Sequence, residues 1–144
     1  MQKFGFVFPG QGSQKAGMLS ELAEVHPVVV DTFALASEVL GKDLWQIAQD
    51  NPDGLLDQTH FTQPVLLAAS VAIWRAWMAK QAPLPDMLAG HSLGEYSALV
   101  CAGVLSFEDA IALVHKRGQY MQSAVPAGTG GMAAIIGMDD SRID

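Results

Sequence analysis

The chain has 144 residues, half of them apolar and 16% charged, with a formal net charge of −7. That length suits about one domain with a genuine core, and the composition excludes a disordered chain. Its acids are scattered rather than run together. The negative balance argues against nucleic acid or an anionic membrane as main partner, because no basic patch can neutralise phosphates.

Cys101 is the single cysteine, so there is neither a disulfide framework nor a Cys-x-x-Cys metal cluster, and a reducing intracellular setting is expected. It lies in the apolar run Ala98–Ala102, where a buried thiol is expected to be inert. Lys3 is followed by only five residues, Phe4 to Phe8, before a Pro-Gly turn, too short for the apolar part of a signal peptide. The longest apolar stretch, Pro64 to Trp74, falls short of the roughly 18–20 residues of a spanning helix. A cytoplasmic protein is expected.

Phe4 to Phe8 reads as a short buried strand, aromatic and β-branched, ended by Pro9-Gly10. A loop at Gly10-Gln11-Gly12-Ser13-Gln14 follows, then a helix from about Met18 to Val25. Pro27 to Leu40 forms a second helix stopped by Gly41, and Asp43 caps a short one carrying Leu44, Trp45, Ile47 and Ala48. Asn51-Pro52-Asp53-Gly54 is a turn signal in a polar region that runs to His60. Thr62 is the expected N-cap of a long helix to about Lys80, with Pro64 in its first turn and an apolar surface nearly all round. Met87-Leu88-Ala89-Gly90 is a second strand, and a helix starts near Leu93. Ser106-Phe107-Glu108-Asp109 is a capping box opening a helix to about Ala124. Pro126 to Gly131 is a glycine-rich joint, and Met132 to Gly137 a third strand. Strands separated by helices imply a parallel α/β sheet. An apolar strand near a terminus needs a partner, so the chain is expected to be a fragment of something larger.

Chemistry concentrates around Gly90-His91-Ser92-Leu93-Gly94. A short strand entering Gly-x-Ser-x-Gly and leaving as a helix is the nucleophile elbow, a tight turn that presents a strained serine at a helix N-terminus. There a developing oxyanion meets free N–H groups, with the Leu93 N–H as the expected first donor. A plain tight turn with a capping serine has the same spacing. The second oxyanion donor should come from a loop after another strand, and Gly10–Gln14 is the good candidate. A simple glycine-rich turn or a phosphate loop also fits it. The third glycine of a dinucleotide fingerprint is absent, as is any Gly-Lys-Ser/Thr.

Phe107, Ala110, Ile111, Val114, Gly118, Met121 and Val125 step along one helical face, with Arg117 on its edge. Arg117 either snorkels from the core or offers a guanidinium fork to a substrate carboxylate. No general base is evident. His26 and His60 lie in polar or turn-like stretches, His115 is on another helical face from Arg117, and His91 is adjacent to Ser92 but aimed elsewhere. A serine without a base is a weak nucleophile, which again points to an incomplete site.

Taken together, Phe6 to Gln14, Thr62-Gln63-Pro64, Gly90 to Leu99 and Arg117-Gly118 resemble, in order and spacing, the N-terminal part of the malonyl-CoA:acyl-carrier-protein transacylase family of dissociated bacterial fatty-acid synthesis. The resemblance runs over the whole chain. It implies a hydrolase-like α/β core, a parallel sheet flanked by helices, over residues 1–127. Residues 128–144 would then be the linker and first strand of an inserted ferredoxin-like subdomain. It implies Ser92 as nucleophile and the N–H groups of Gln11 and Leu93 as the oxyanion hole. Arg117 would be the malonyl carboxylate ligand; Gln63, Met121, Gly10 and His91 would be further substrate-binding positions. The family's catalytic histidine lies beyond Asp144, so the 144-residue chain alone is expected to be inactive or very weak.

The implied substrates are malonyl-CoA and phosphopantetheinylated acyl carrier protein, with no cofactor or metal and a monomeric full-length protein. Met1 followed directly by the first strand favours a free-standing protein over a polyketide-synthase domain. A serine esterase or thioesterase of the α/β-hydrolase kind, or an inactive truncated fragment, are the competing readings.

Overall fold

A computed structural model describes residues 3–125, 128–130 and 135–143. The elements run β1 (Gly5–Phe8), α1 (Ser20–Val25), α2 (Val28–Leu40), α3 (Leu44–Asp50), a 3-10 segment (Pro52–Asp57), α4 (Thr59–Ala79), β2 (Met87–Gly90), α5 (Leu93–Cys101) and α6 (Phe107–Ser123). The two strands pair in parallel, Gly5 opposite Met87 and Phe8 opposite Gly90. Both the expected parallel sheet and the flanking helices are present. Of the expected third strand, residues 132–134 lie outside the described residues, as do 126, 127 and 131 of the glycine-rich joint. Ile135 and Ile136 belong to no strand, and a 3-10 turn follows at Asp140–Arg142.

The alternation of β1 explains how the sheet seats itself. Side chains two apart share a face, so Phe6 turns to Trp74 and Trp77 of α4 at ring-centroid distances of 5.6 and 5.2 Å. Val7 points the other way and is 83% exposed, beside Met87 at 66%. The expected burial of this strand therefore holds for one face only among the described residues. Aromatic bulk on the covered face, rather than the strand as a whole, supplies the packing.

The centre of the molecule is α4. Every residue from Thr62 to Ala72 is buried, as its unbroken apolar surface predicts, and α2, α3, α5 and α6 pack around it. Val29, Phe33 and Ala36 of α2, Leu44 and Ile47 of α3, and Phe107, Ile111 and Val114 of α6 complete this core. Two of the expected caps form as read: the Asp43 carboxylate accepts from Gln46 N, and the Ser106 hydroxyl oxygen accepts from Asp109 N.

One boundary differs. The helix begins at Thr59 rather than after Thr62, with Gln58 at its N-cap position. Thr62 does not cap; its hydroxyl turns back on the Leu56 and Gln58 carbonyls. Pro64 thus sits inside the helix, where its missing N–H leaves the carbonyl four residues earlier without its usual donor. That carbonyl belongs to His60, and the His115 ring Nδ1 lies 2.6 Å from it. Since a carbonyl only accepts, Nδ1 carries the proton and Nε2 is left to accept from the Gln119 amide at 3.1 Å. A proline that would otherwise break α4 is tolerated because α6 supplies the donor. Burial, and next the neighbouring His115, lower the pKa of His60, which favours its neutral ring.

The same crossing brings backbones into contact. A Cβ on Gly118 would lie 2.4 Å from His60 Cα and 2.7 Å from the Thr59 carbonyl oxygen, and neither of those atoms can turn aside. Gly118→Ala should therefore push α6 off α4 and cost about 2 kcal/mol or more of stability, as overpacking does; the shift in urea midpoint measures it.

Candidate active site

The turn between β2 and α5 is built by excluded volume. A Cβ on Gly90 would stand 2.0 Å from the Gly94 carbonyl carbon and oxygen, and one on Gly94 would stand 2.1 Å from the Phe8 carbonyl oxygen. Only glycine at both positions lets the strand fold so sharply into the helix against β1. The His91 N–H donates to the Phe8 carbonyl at 3.1 Å, and Gly94 and Glu95 N–H close the turn onto the His91 and Ser92 carbonyls. Between the glycines Ser92 is held at φ 53°, ψ −111°, a conformation that costs a non-glycine residue about 1–3 kcal/mol. Strand, turn, strain and helix together make this a nucleophile elbow rather than a simple capped turn; the Ser92 side chain makes no cap.

Ser92 Oγ is exposed, and Arg117 Nη2 donates to it at 3.1 Å. Arg117 Nη1 donates to Gln63 Oε1 at 2.6 Å, and its guanidinium lies 5.6 Å from the Tyr96 ring centre. The arginine does not snorkel. It leaves the edge of the apolar stripe of α6, whose buried members are Phe107, Ala110, Ile111, Val114 and Gly118, and points across to α4 and α5. Among the described residues no carboxylate is bonded to it, so its remaining N–H donors are available for an anionic ligand beside Ser92.

Gln63 is fully buried on α4. Its Nε2 donates to Thr59 Oγ1 at 3.0 Å and lies 3.3 Å from Met121 Sδ. Thr59 Oγ1 in turn donates to Gln11 Oε1 at 2.6 Å. Gln11 sits in the loop after β1, where Ser13 N–H bonds back to the Gly10 carbonyl and Gly12 takes φ 105°. Gly10 is pressed against His91, a Cβ there meeting His91 O at 2.8 Å and Nδ1 at 3.0 Å. The N–H groups of Gln11 and Leu93 bond to no acceptor among the described residues. The structure thus brings together Ser92, Arg117, Gln63, Met121 and the Gln11 side chain, with Gly10 and His91 beside the turn. The His91 ring is exposed and is not bonded to Ser92.

Two residues escaped the sequence reading. Tyr96 was legible only as part of the motif after Ser92. Thr59 was hidden because α4 was started too late; with the helix begun at Thr59, Thr59 and Gln63 become an i, i+4 pair on one face.

Among the described residues no imidazole bonds to Ser92. His60 and His115 meet edge-to-face at 5.7 Å, in structural roles. Nor does any group of three or more His, Cys, Asp or Glu form a metal site among them, and no described helix is long and apolar enough to cross a membrane. Cys101 is half-buried, and burial pushes its thiol up to about 12 against the pull of Arg75, so it is not a competing nucleophile at neutral pH.

Because strain at residue 92 comes from a side chain in a region that glycine tolerates, Ser92→Gly should raise thermal stability by about 1 kcal/mol while removing the hydroxyl. Equal or lower stability by calorimetry would show that the elbow stores no strain.

Comparison with known proteins agrees with this geometry. The acyl transferase domain family matches residues 5–142. The chain is 59% identical over 143 residues to the malonyl CoA-acyl carrier protein transacylase of Salmonella typhimurium, covering 99% of this chain and 46% of that protein. Among solved structures, an acyl carrier protein S-malonyltransferase from Vibrio cholerae superposes with a TM-score of 0.86 at 66% identity, over 89% of this chain and 42% of that one. A malonyl-transacylase solved with a type II polyketide-synthase acyl-carrier protein superposes at 0.87 and 61% identity, over 89% of this chain and 41% of that one. The chain spans a little under half the length of these relatives. With an elbow serine, a facing arginine and a family match over nearly all its residues, the chain belongs to the acyl transferase domain family.

Proposed function

We propose that this chain carries the nucleophile-bearing part of a malonyl-CoA:acyl-carrier-protein transacylase of fatty-acid biosynthesis. The observation that carries the reading is Arg117 Nη2 3.1 Å from Ser92 Oγ, a guanidinium placed where the far end of a short dicarboxylic acyl group would lie. Malonyl thioester has a carboxylate that can take the free edge of that fork; acetyl thioester has none and would leave it without an ionic partner. Ser92 Oγ attacks the thioester carbonyl, and its proton passes to a base supplied from outside the described residues. The oxyanion is held by the N–H groups of Gln11 and Leu93, each worth about 3 kcal/mol of barrier in sites of this kind. Collapse of the tetrahedral intermediate releases CoA as the thiol. The phosphopantetheine thiol of acyl carrier protein then attacks the Ser92 ester and leaves with the malonyl group.

Gln63, by gripping the other edge of Arg117, sets the angle of the fork, and Met121 closes that side. Gly10 and His91 are read as substrate-facing positions beside the oxyanion loop. Residues 128–144 are read as the linker and first strand of a ferredoxin-like subdomain inserted in a hydrolase-like core; the glycine-rich joint and the apolar run from Met132 to Ile136 support this. The chemistry needs no cofactor, and a cytoplasmic, monomeric protein is the reading that fits these substrates.

The deciding experiment gives the whole protein malonyl-CoA and acyl carrier protein. The expected result is malonyl-carrier with a transient malonyl ester on Ser92 by intact mass, whereas hydrolysis without a carrier product would favour an esterase or thioesterase. The 144-residue chain alone should turn over at best very slowly, because among the described residues no base reaches Ser92; wild-type rates from it would overturn that assignment. Arg117→Ala should lower malonyl transfer by about 100-fold or more, as expected for a charged bond lost at the reacting group. Acetyl transfer should be spared or raised, and an equal fall in both would make Arg117 structural.

A further inference from the structure

We propose that Thr59 is a positioning residue that ties the carboxylate-binding arginine to the oxyanion loop, through one directional chain of hydrogen bonds from Arg117 by way of Gln63 and Thr59 to Gln11. The inference rests on the roles given above to Ser92 and Arg117.

The direction of the first two links follows from the guanidinium. A guanidinium has donors and no acceptor, so the Gln63 atom 2.6 Å from Arg117 Nη1 is its carbonyl oxygen. That fixes the buried amide, and its NH2 must face Thr59 Oγ1 at 3.0 Å and Met121 Sδ at 3.3 Å. Thr59 Oγ1, already accepting, has its single proton for Gln11 Oε1 at 2.6 Å. Neither bond of Gln63 can reverse without breaking its contact with Arg117.

Burial makes the chain stiff. Gln63 is fully buried and Thr59 only 8% exposed, so water does not readily replace a lost partner. Gln11 is different: it is exposed, in a loop whose other ties lie within residues 10–14, namely Ser13 N–H and Oγ to the Gly10 carbonyl and Gly12 N–H to Gln14 Oε1. The Thr59 hydroxyl is the contact that anchors the Gln11 side chain to the helical core. Since the Gln11 N–H is an oxyanion donor, a loosened Gln11 side chain lets that donor wander from the position the developing charge will occupy. The same tether registers the arginine, because Gln63 holds one guanidinium edge while the other turns from Ser92 to a carboxylate. Thr59 thereby couples recognition of the acyl group to readiness of the oxyanion hole.

The test uses the whole protein with malonyl-CoA and acyl carrier protein. Thr59→Val keeps the shape and removes the hydroxyl; Thr59→Ser keeps the hydroxyl. Gln11→Met breaks the same bond from the exposed side, where folding is not at stake. Thr59→Val and Gln11→Met should each lower kcat by about tenfold, with KM for malonyl-CoA within about threefold. The double variant should fall no further than either single, and Thr59→Ser should recover most of the rate. Additive losses, kcat within twofold of wild type for Gln11→Met, or no recovery by serine in a folded protein would each overturn the proposal. If the wild-type protein forms malonyl-Ser92 and depends on Arg117, such a result counts against Thr59 alone. If it forms no malonyl-Ser92, the reading of the site and this inference fall together.

Discussion

At the crossing of α4 and α6 two backbones approach so closely that a methyl group on Gly118 would overlap His60 Cα. This contact sets the height of α6 along α4, and the site depends on that height. Arg117 precedes Gly118, so its side chain starts where the helices are closest and can reach both Gln63 on α4 and Ser92 at the head of α5. The crossing is also where α4 carries a flaw. Pro64 removes a donor from the His60 carbonyl, and His115, three residues before Gly118, returns one. A helix break and a close approach, each unfavourable alone, offset each other because they occur at the same level.

A second constraint operates at the elbow. Gly90 and Gly94 allow β2 to turn into α5 within the space left by β1, and Ser92 takes up the strain that the turn creates. The strain persists because the surroundings over-determine it: main-chain bonds on both sides of Ser92 close the turn, and the Leu93 side chain is buried in the core. Ser92 is therefore rigidly placed without being itself buried. Its polar environment comes from three helices, so the site inherits its precision from the core and not from the loops around it.

Much of this architecture was legible in the residues. The bounds of β2 and the start of α5 agree with the sequence reading, since a short apolar run ending in Gly-x-Ser-x-Gly has few other ways to fold. The apolar stripe of α6 and the buried length of α4 also followed from periodicity and composition. The start of α4 did not. Local rules place a proline in a helix's first turn because there its missing N–H costs nothing; they contain no term for a histidine on α6 that supplies the donor. With that boundary misplaced, Thr59 read as part of a polar turn and its pairing with Gln63 was invisible. Likewise Val7 looked like one more core residue, while in this chain the outer face of the sheet is uncovered among the described residues.

The sequence by itself determined the position of Ser92 between two glycines, the sharpness of its turn and the stripe from which Arg117 departs. Each rests on spacing along one segment, where covalent geometry leaves little choice. Only the tertiary structure decided whether Arg117 snorkels at the surface or turns its guanidinium to Ser92, and how Gln11 is joined to it. Those outcomes depend on which donor meets which acceptor across three helices and a loop. Because a guanidinium can only donate, a single long-range contact fixes the orientation of the buried Gln63 amide, and no local pattern of residues encodes that contact.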